Sequence, residues 1–167
     1  ADHPQNKAIF NVFNLDESFE HIAKYKKEPV ALVDSSSTKD GRLGSVEIDA
    51  QNVLIVIDHH RESDIKETES NFVLIEEVGS ATTLVAEILF GFGVELDDGS
   101  PEATLGAIGI LTDTVNFASA TKRDTRIFDK LFQKLDQSKY RELVNYDIPL
   151  EYYMYLDKAL SVMETDN

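Results

Sequence analysis

The sequence predicts an α/β fold with a mostly parallel sheet flanked by helices. Two features carry that prediction. Val53-Leu54-Ile55-Val56-Ile57 is a continuous aliphatic run, the pattern of a strand buried on both faces. Shorter apolar runs at Val30–Val33 and Phe72–Ile75 alternate with helical periodicity, which calls for parallel strands joined by right-handed crossovers. Val30–Val33 and Val53–Ile57 are expected near the centre of the sheet.

From the N-terminus, Ala8, Ile9, Val12 and Phe13 recur at helical spacing within residues 5–14, and Asp16 or Ser18 can cap a second helix through Tyr25. Pro29 breaks the pattern before the first strand, which ends on Asp34 and Ser35-Ser36-Ser37-Thr38. Asp40-Gly41 is a turn signal. The Val53–Ile57 strand runs into Asp58-His59-His60-Arg61, and a charged loop from Glu62 to Ser70 leads to the third run. Gly79-Ser80 opens a helix carrying Leu84, Val85, Ile88, Leu89 and Phe90, which Gly91 and Gly93 stop. Ser100-Pro101-Glu102 starts another, with serine as cap and proline in the first turn, running toward Asp113. From Lys122 the pattern is helical, through Leu131 and Leu143 and again from Tyr152 to Val162, and this final third is expected to pack on the sheet.

At 167 residues with 42% hydrophobic content, the chain has one domain's length and can bury a substantial core. No apolar stretch approaches the roughly 20 residues of a membrane span, so no membrane partner is expected. Cysteine is absent, which removes disulfides and thiolate metal sites and agrees with a reducing cytoplasm as the default location. A net charge of −15 opposes long duplex DNA, whose binding depends on Lys and Arg neutralising phosphates. It suits sites that gather divalent cations, through which a small phosphorylated ligand can be held.

Ligands of open α/β sheets bind outside the carboxyl ends of the strands. Asp34 and Asp58-His59-His60 follow two such ends, and two of the four histidines in the chain are adjacent there. Asp113, in Gly109-Ile110-Leu111-Thr112-Asp113-Thr114, marks another abrupt change from apolar to polar. Carboxylates with imidazole suit Mn²⁺, Mg²⁺, Fe²⁺ or Zn²⁺. Each acid alone is more often a helix cap or a solvated turn; their joint placement at the boundary of the core favours metal binding.

Val-Asp at 33–34, Asp-His-His at 58–60, Gly-Ser-Ala-Thr-Thr at 79–83 and Thr-Asp-Thr at 112–114 resemble, in order, the motifs of the DHH phosphoesterase family. That family includes RecJ-type exonucleases, nanoRNA and phosphoadenosine-phosphate phosphatases, cyclic-dinucleotide phosphodiesterases and manganese inorganic pyrophosphatases; an exopolyphosphatase relationship falls in the same group. The resemblance runs from about Asp2 through Phe117. It implies hydrolysis of phosphodiester or phosphoanhydride bonds in small substrates with two ions, Mn²⁺ or Mg²⁺. It implies Asp34 as a carboxylate bridging the ions, with His59 and Asp113 as ligands to one of them. Asp58 would orient an imidazole or a water, and His60 and Arg61 would face the substrate phosphate. Short single-stranded nucleic acid and a homodimer are compatible with it.

The family's first motif, a histidine followed by two aspartates, and the signature of its C-terminal substrate-binding domain do not occur in residues 1–167. The resemblance therefore implies a partial DHH domain, with a helical segment from about residue 122. The expectation is a piece of a longer enzyme that by itself holds at most one ion weakly and has negligible activity. The alternative is a non-catalytic nucleotide-binding or regulatory module on the same fold.

Two further signals bear on substrate. Ser80 and Thr82, at a helix start, can aim backbone N–H groups at a phosphate or simply cap the helix. Lys122, Arg123 and Arg126 follow the Asp113 segment and can contact a substrate, although such clusters are usually solvated faces. The cluster Lys24, Lys26, Lys27, His21 and Tyr146, Tyr152, Tyr153 and Tyr155 are read as surface or packing residues.

Overall fold

Three parallel strands, β1 (Val30–Val33), β2 (Val53–Asp58) and β3 (Phe72–Ile75), form a sheet in that spatial order. The computed structural model describes residues 3–15, 27–43, 46, 48–61, 63–68, 71–146, 148, 150 and 153–155. The helices are α1 (Pro4–Phe13), α2 (Ala81–Gly91), α3 (Pro101–Asp113), α4 (Lys122–Phe132) and α5 (Gln137–Val144). The second helix expected before Tyr25, together with His21, Lys24, Lys26 and Tyr152, lies outside the described residues, as does the pattern to Val162 except helical residues 153–155.

Register decides which side chains share a face. Leu32, Val56 and Val73 lie side by side and pack with Val53, Ile48 and Ile65. On the opposite face Ile57 and Leu74 meet Val78 and the α2 residues Leu84, Val85 and Ile88. Val56 and Leu84 are fully buried, each side chain contributing about 1.5–3 kcal/mol through loss of apolar surface to water. A separate helical core gathers Ala86, Ala103, Ala107, Ile110, Ile127, Phe128, Leu131 and Leu135. The α2–α3 approach is close because α3 carries glycine there: a Cβ on Gly109 would lie 2.8 Å from Thr82 Oγ1.

Two expectations change in detail. Of the two strands expected near the centre, β2 is central, whereas β1 is an edge strand among the described residues. The strands are also not buried throughout: Val33 is 51% and Phe72 49% exposed, and Leu54 and Ile55 are exposed too. The helical layer explains the exposure. Helix α2 covers the carboxyl-terminal half of one sheet face, while α4 packs mainly on α3 and α2 and α5 on α3 and α1, so among the described residues the helices from Lys122 onward pack mainly on other helices.

Candidate metal centre at the strand ends

Asp34 follows β1 directly. Its N–H donates to Ile57 O at 3.0 Å, continuing the β1–β2 ladder by one bond. Its φ of 59° is left-handed, a conformation aspartate tolerates better than most residues, and it turns the chain off the sheet. Asp58 ends β2, paired with Ile75, and is 1% exposed. Its Oδ1 accepts from the backbone N–H of His59 at 2.7 Å and of His60 at 3.2 Å, and from His60 Nδ1 at 2.7 Å. Burial opposes charge on Asp58, but the hydrogen bonds from Ser36, His60 and His59 together outweigh it and hold the carboxyl below its ordinary range.

His59 Nδ1 lies 3.1 Å from Val78 O. A carbonyl oxygen only accepts, so when Nε2 gives its lone pair to an ion the ring proton has its acceptor ready at Nδ1. That Nε2 is 3.2 Å from Asp34 Oδ1. Ligands about 2.0–2.2 Å from one transition ion lie roughly 3 Å apart when adjacent, so this pair is spaced as two donors to a single ion. Asp34, Asp58, His59 and His60 each offer one ligand-type atom, all within 4.8 Å of one another. Hydrogen-bond accounting divides the four. Asp58 Oδ1 already receives three donors and His60 Nδ1 is committed to it, which leaves Asp34 and His59 as the nucleus of a cation site. His60 keeps its Nε2 for solvent or ligand, on a side chain 56% exposed.

One partner of this cluster was not legible in the sequence. The Arg42 guanidinium donates from Nη1 to Asp34 Oδ2 at 2.9 Å and from Nη2 to the Asp34 carbonyl. Bonds from Arg42 also hold Asp40 well below the ordinary carboxylate range. The turn at Asp40-Gly41 is visible in the residues; that it folds its arginine back onto Asp34 is not.

The remaining expected site residues have other partners. Asp113 is outside the four-residue group; at the end of α3, its Oδ2 accepts from the Ser80 hydroxyl at 2.6 Å. Ser80 is fully buried and caps α2 by accepting from Thr82 N at 3.2 Å, so its hydroxyl is engaged with Asp113 and the helix start. Thr82 faces Gly106 and Gly109 of α3, in the helix packing. Arg61 pairs at the surface with Glu77 at 2.9 Å. Arg123 is held by Glu87, 3.1 Å from its Nε, and by Glu76, with Arg126 on the same Glu87 at 2.8 Å. Lys122, at the start of α4, is exposed.

Asp124 was missed altogether. It is fully buried and accepts from Gly79 N–H (2.8 Å), the Thr83 hydroxyl (2.6 Å), and both the N–H and hydroxyl of Thr121 (2.6 Å each). Burial opposes its charge, yet these four donors outweigh it and keep the carboxyl below its ordinary range. Thr121-x-x-Asp124 is a capping-box spacing, a signal present in the sequence.

Acids and imidazoles at the carboxyl ends of parallel strands, taken with the similarities that follow, support a relationship to the DHH-type phosphoesterase superfamily. The chain is 30% identical over 155 residues to a probable manganese-dependent inorganic pyrophosphatase of Clostridium acetobutylicum, covering 81% of the chain and 49% of that protein. It is 28% identical over 166 residues to the manganese-dependent inorganic pyrophosphatase of Methanocaldococcus jannaschii, covering 96% of the chain and 50% of the relative. It is also 42% identical over 83 residues to the A-adding tRNA nucleotidyltransferase of Aquifex aeolicus, 48% of the chain but 10% of that protein. The crystal structure of a Methanococcus jannaschii protein assigned to the family II inorganic pyrophosphatases superposes with a TM-score of 0.59 at 25% identity, over 84% of this chain and 47% of that one. The chain thus spans about half the length of these pyrophosphatase relatives. No protein-family model matches the sequence.

Proposed function

We propose that the chain carries part of the metal-binding half of a manganese-dependent hydrolase of phosphoanhydride or phosphodiester bonds, with inorganic pyrophosphate as the first substrate to test. The observation that carries this reading is the Asp34–His59 pair, spaced at 3.2 Å as two donors to one ion and backed by Asp58 and His60. Carboxylate oxygen with imidazole nitrogen fits Mn²⁺, the metal in the names of two pyrophosphatase relatives. A divalent ion bound there supplies positive charge to phosphate oxygens and acidifies water toward neutral pH.

The chain's own residues do the rest. Asp34 supplies the negative charge that attracts the cation. Val78 O holds His59 in the tautomer that leaves Nε2 free to ligate. Asp58 fixes His60 through Nδ1 and, being an anion, suits the imidazolium form, in which the exposed Nε2–H can donate to a phosphate oxygen or pass a proton to a leaving oxygen. Arg42, on the far oxygen of Asp34, is placed to take a second phosphate oxygen.

A second reading takes the phosphodiester of a short single-stranded nucleic acid as substrate; the 83-residue identity to a tRNA nucleotidyltransferase, over 10% of that protein, links such a segment to a nucleic-acid enzyme, not to hydrolysis. The experiment is phosphate release from pyrophosphate and nucleotide release from short oligonucleotides, each with Mn²⁺ and with chelator, using the full-length protein. Mn²⁺-dependent release from pyrophosphate supports the first reading, and release from oligonucleotides alone supports the second. No release from either, with Mn²⁺ bound, leaves a non-catalytic binding module.

A further inference from the structure

We propose that Asp124 is a positioning residue for the metal centre, acting on His59 through the single peptide group that joins Val78 to Gly79. The N–H of that peptide donates to Asp124 Oδ2 at 2.8 Å. Its C=O accepts from His59 Nδ1 at 3.1 Å. Beyond the ring, Nε2 faces Asp34 Oδ1 at 3.2 Å. One peptide plane therefore stands between a buried carboxylate and the imidazole of the candidate site.

The electrostatics of this series are directional. Negative charge on Asp124 polarises the amide, and hydrogen bonds in series through an amide strengthen one another by about 10–30% per bond. The carbonyl becomes a better acceptor, the ring proton is fixed on Nδ1, and electron density shifts toward Nε2. Metal-ligating histidines are commonly oriented by a carboxylate or a carbonyl on their other nitrogen. Here a carbonyl does the orienting with a carboxylate behind it.

Two observations separate this arrangement from ordinary helix capping. The four donors to Asp124 are all neutral, and a fully buried carboxylate without a counter-ion is expensive where a cap alone is needed. The peptide is also fixed from its other side: a Cβ on Gly79 would lie 2.5 Å from Thr114 Cγ2, so this position is cut to let the backbone approach.

The inference rests on reading His59 as a ligand, and its test begins without metal or substrate. In the ¹⁵N-labelled, metal-free full chain at pH about 8, where an aspartate is ionised, the expected NMR result is a Gly79 amide proton far downfield. Asp124→Asn keeps the shape and removes the charge. It should move the Gly79 amide upfield, shift His59 toward the Nε2–H form, and weaken Mn²⁺ binding by about tenfold in calorimetric titration. Thr83→Val loosens the other oxygen of Asp124 without touching the peptide, and should leave the His59 tautomer unchanged. The proposal is overturned by a wild-type Gly79 amide without a downfield shift, by a folded Asp124→Asn with tautomer and affinity unaltered, or by Thr83→Val shifting the tautomer equally. Should Asp124→Asn fail to fold, the wild-type Gly79 shift decides the matter. An active-site reading that fails in the hydrolysis assays leaves these metal-free signals untouched, so the two failures are distinguishable.

Discussion

Gly79→Ala is the single-atom-group change that the structure marks as most damaging near the site. The added Cβ would stand 2.5 Å from Thr114 Cγ2 and 2.8 Å from Asp124 Oδ2. Carbon atoms rest about 3.5–4.0 Å apart at van der Waals contact, so the first overlap exceeds one ångström. Thr114 cannot swing aside, because it is fully buried with its hydroxyl bonded to Ile110 O at 2.6 Å. The turn must instead move outward, away from Asp124. Overpacking of this kind costs about 1–3 kcal/mol, and losing a hydrogen bond to a charged group about 1.5–3 kcal/mol. The two partly relieve each other, so a loss of about 3–4 kcal/mol is expected. With a urea slope of about 2 kcal/mol/M, the unfolding midpoint should fall by roughly 1.5–2 M. Gly41→Ala is the control: no heavy atom lies within 4 Å of its added Cβ, and its stability should stay within about 0.5 kcal/mol of wild type. A Gly79→Ala midpoint within about 0.5 M of wild type would show that the packing around this turn is looser than the argument requires.

Three further outcomes are expected. Asp34→Asn should abolish calorimetrically detectable Mn²⁺ binding, because it removes the one carboxylate facing His59 Nε2; retained affinity would place the ion elsewhere. Arg42→Gln removes a positive charge 2.9 Å from Asp34 and should tighten Mn²⁺ binding several-fold at low salt, less at high salt; unchanged or weaker binding at low salt would show that the guanidinium does not compete with the ion. Asp124 contributes to acid stability. Its folded carboxyl is held below the ordinary range, so its contribution is complete above the unfolded value near 4 and is lost as pH falls through the folded value. Urea midpoints at pH 7 and pH 3 should therefore fall further for wild type than for Asp124→Asn, and equal falls would contradict that account.

What could be read from the residues alone follows from how local each signal is. The strands were legible because aliphatic runs such as Val53–Ile57 have one common use, and the acids after them because a parallel sheet fixes where its strand ends lie. Helix starts at Ser80 and Ser100 were legible for the same reason, since a cap speaks only to its own next turn. The partners of Arg123 were not legible, because Glu76 and Glu87 lie 47 and 36 residues away. Those of Thr82 were not legible, because the glycines it meets lie on another helix. Asp124 is a different failure: its capping-box spacing with Thr121 was present in the chain and passed unread.

The turn between β3 and α2 shows why three small residues there carry so much of the site. Val78 gives its carbonyl to His59, Gly79 its amide to Asp124, and Ser80 its hydroxyl to Asp113. Each group goes to a different element, after β2, on α4 and at the end of α3. A Cβ at 79 would push this junction apart, and without the Ser80 hydroxyl Asp113 would lose its tie to α2. The residue types follow from the geometry: glycine where backbone must approach Thr114, and serine where a buried cap must also serve a carboxylate. The Val-Gly-Ser sequence is therefore the point at which the helical layer, with its own core, is keyed to the strand ends. Changes on α4, remote from any ligand, should reach His59 through it.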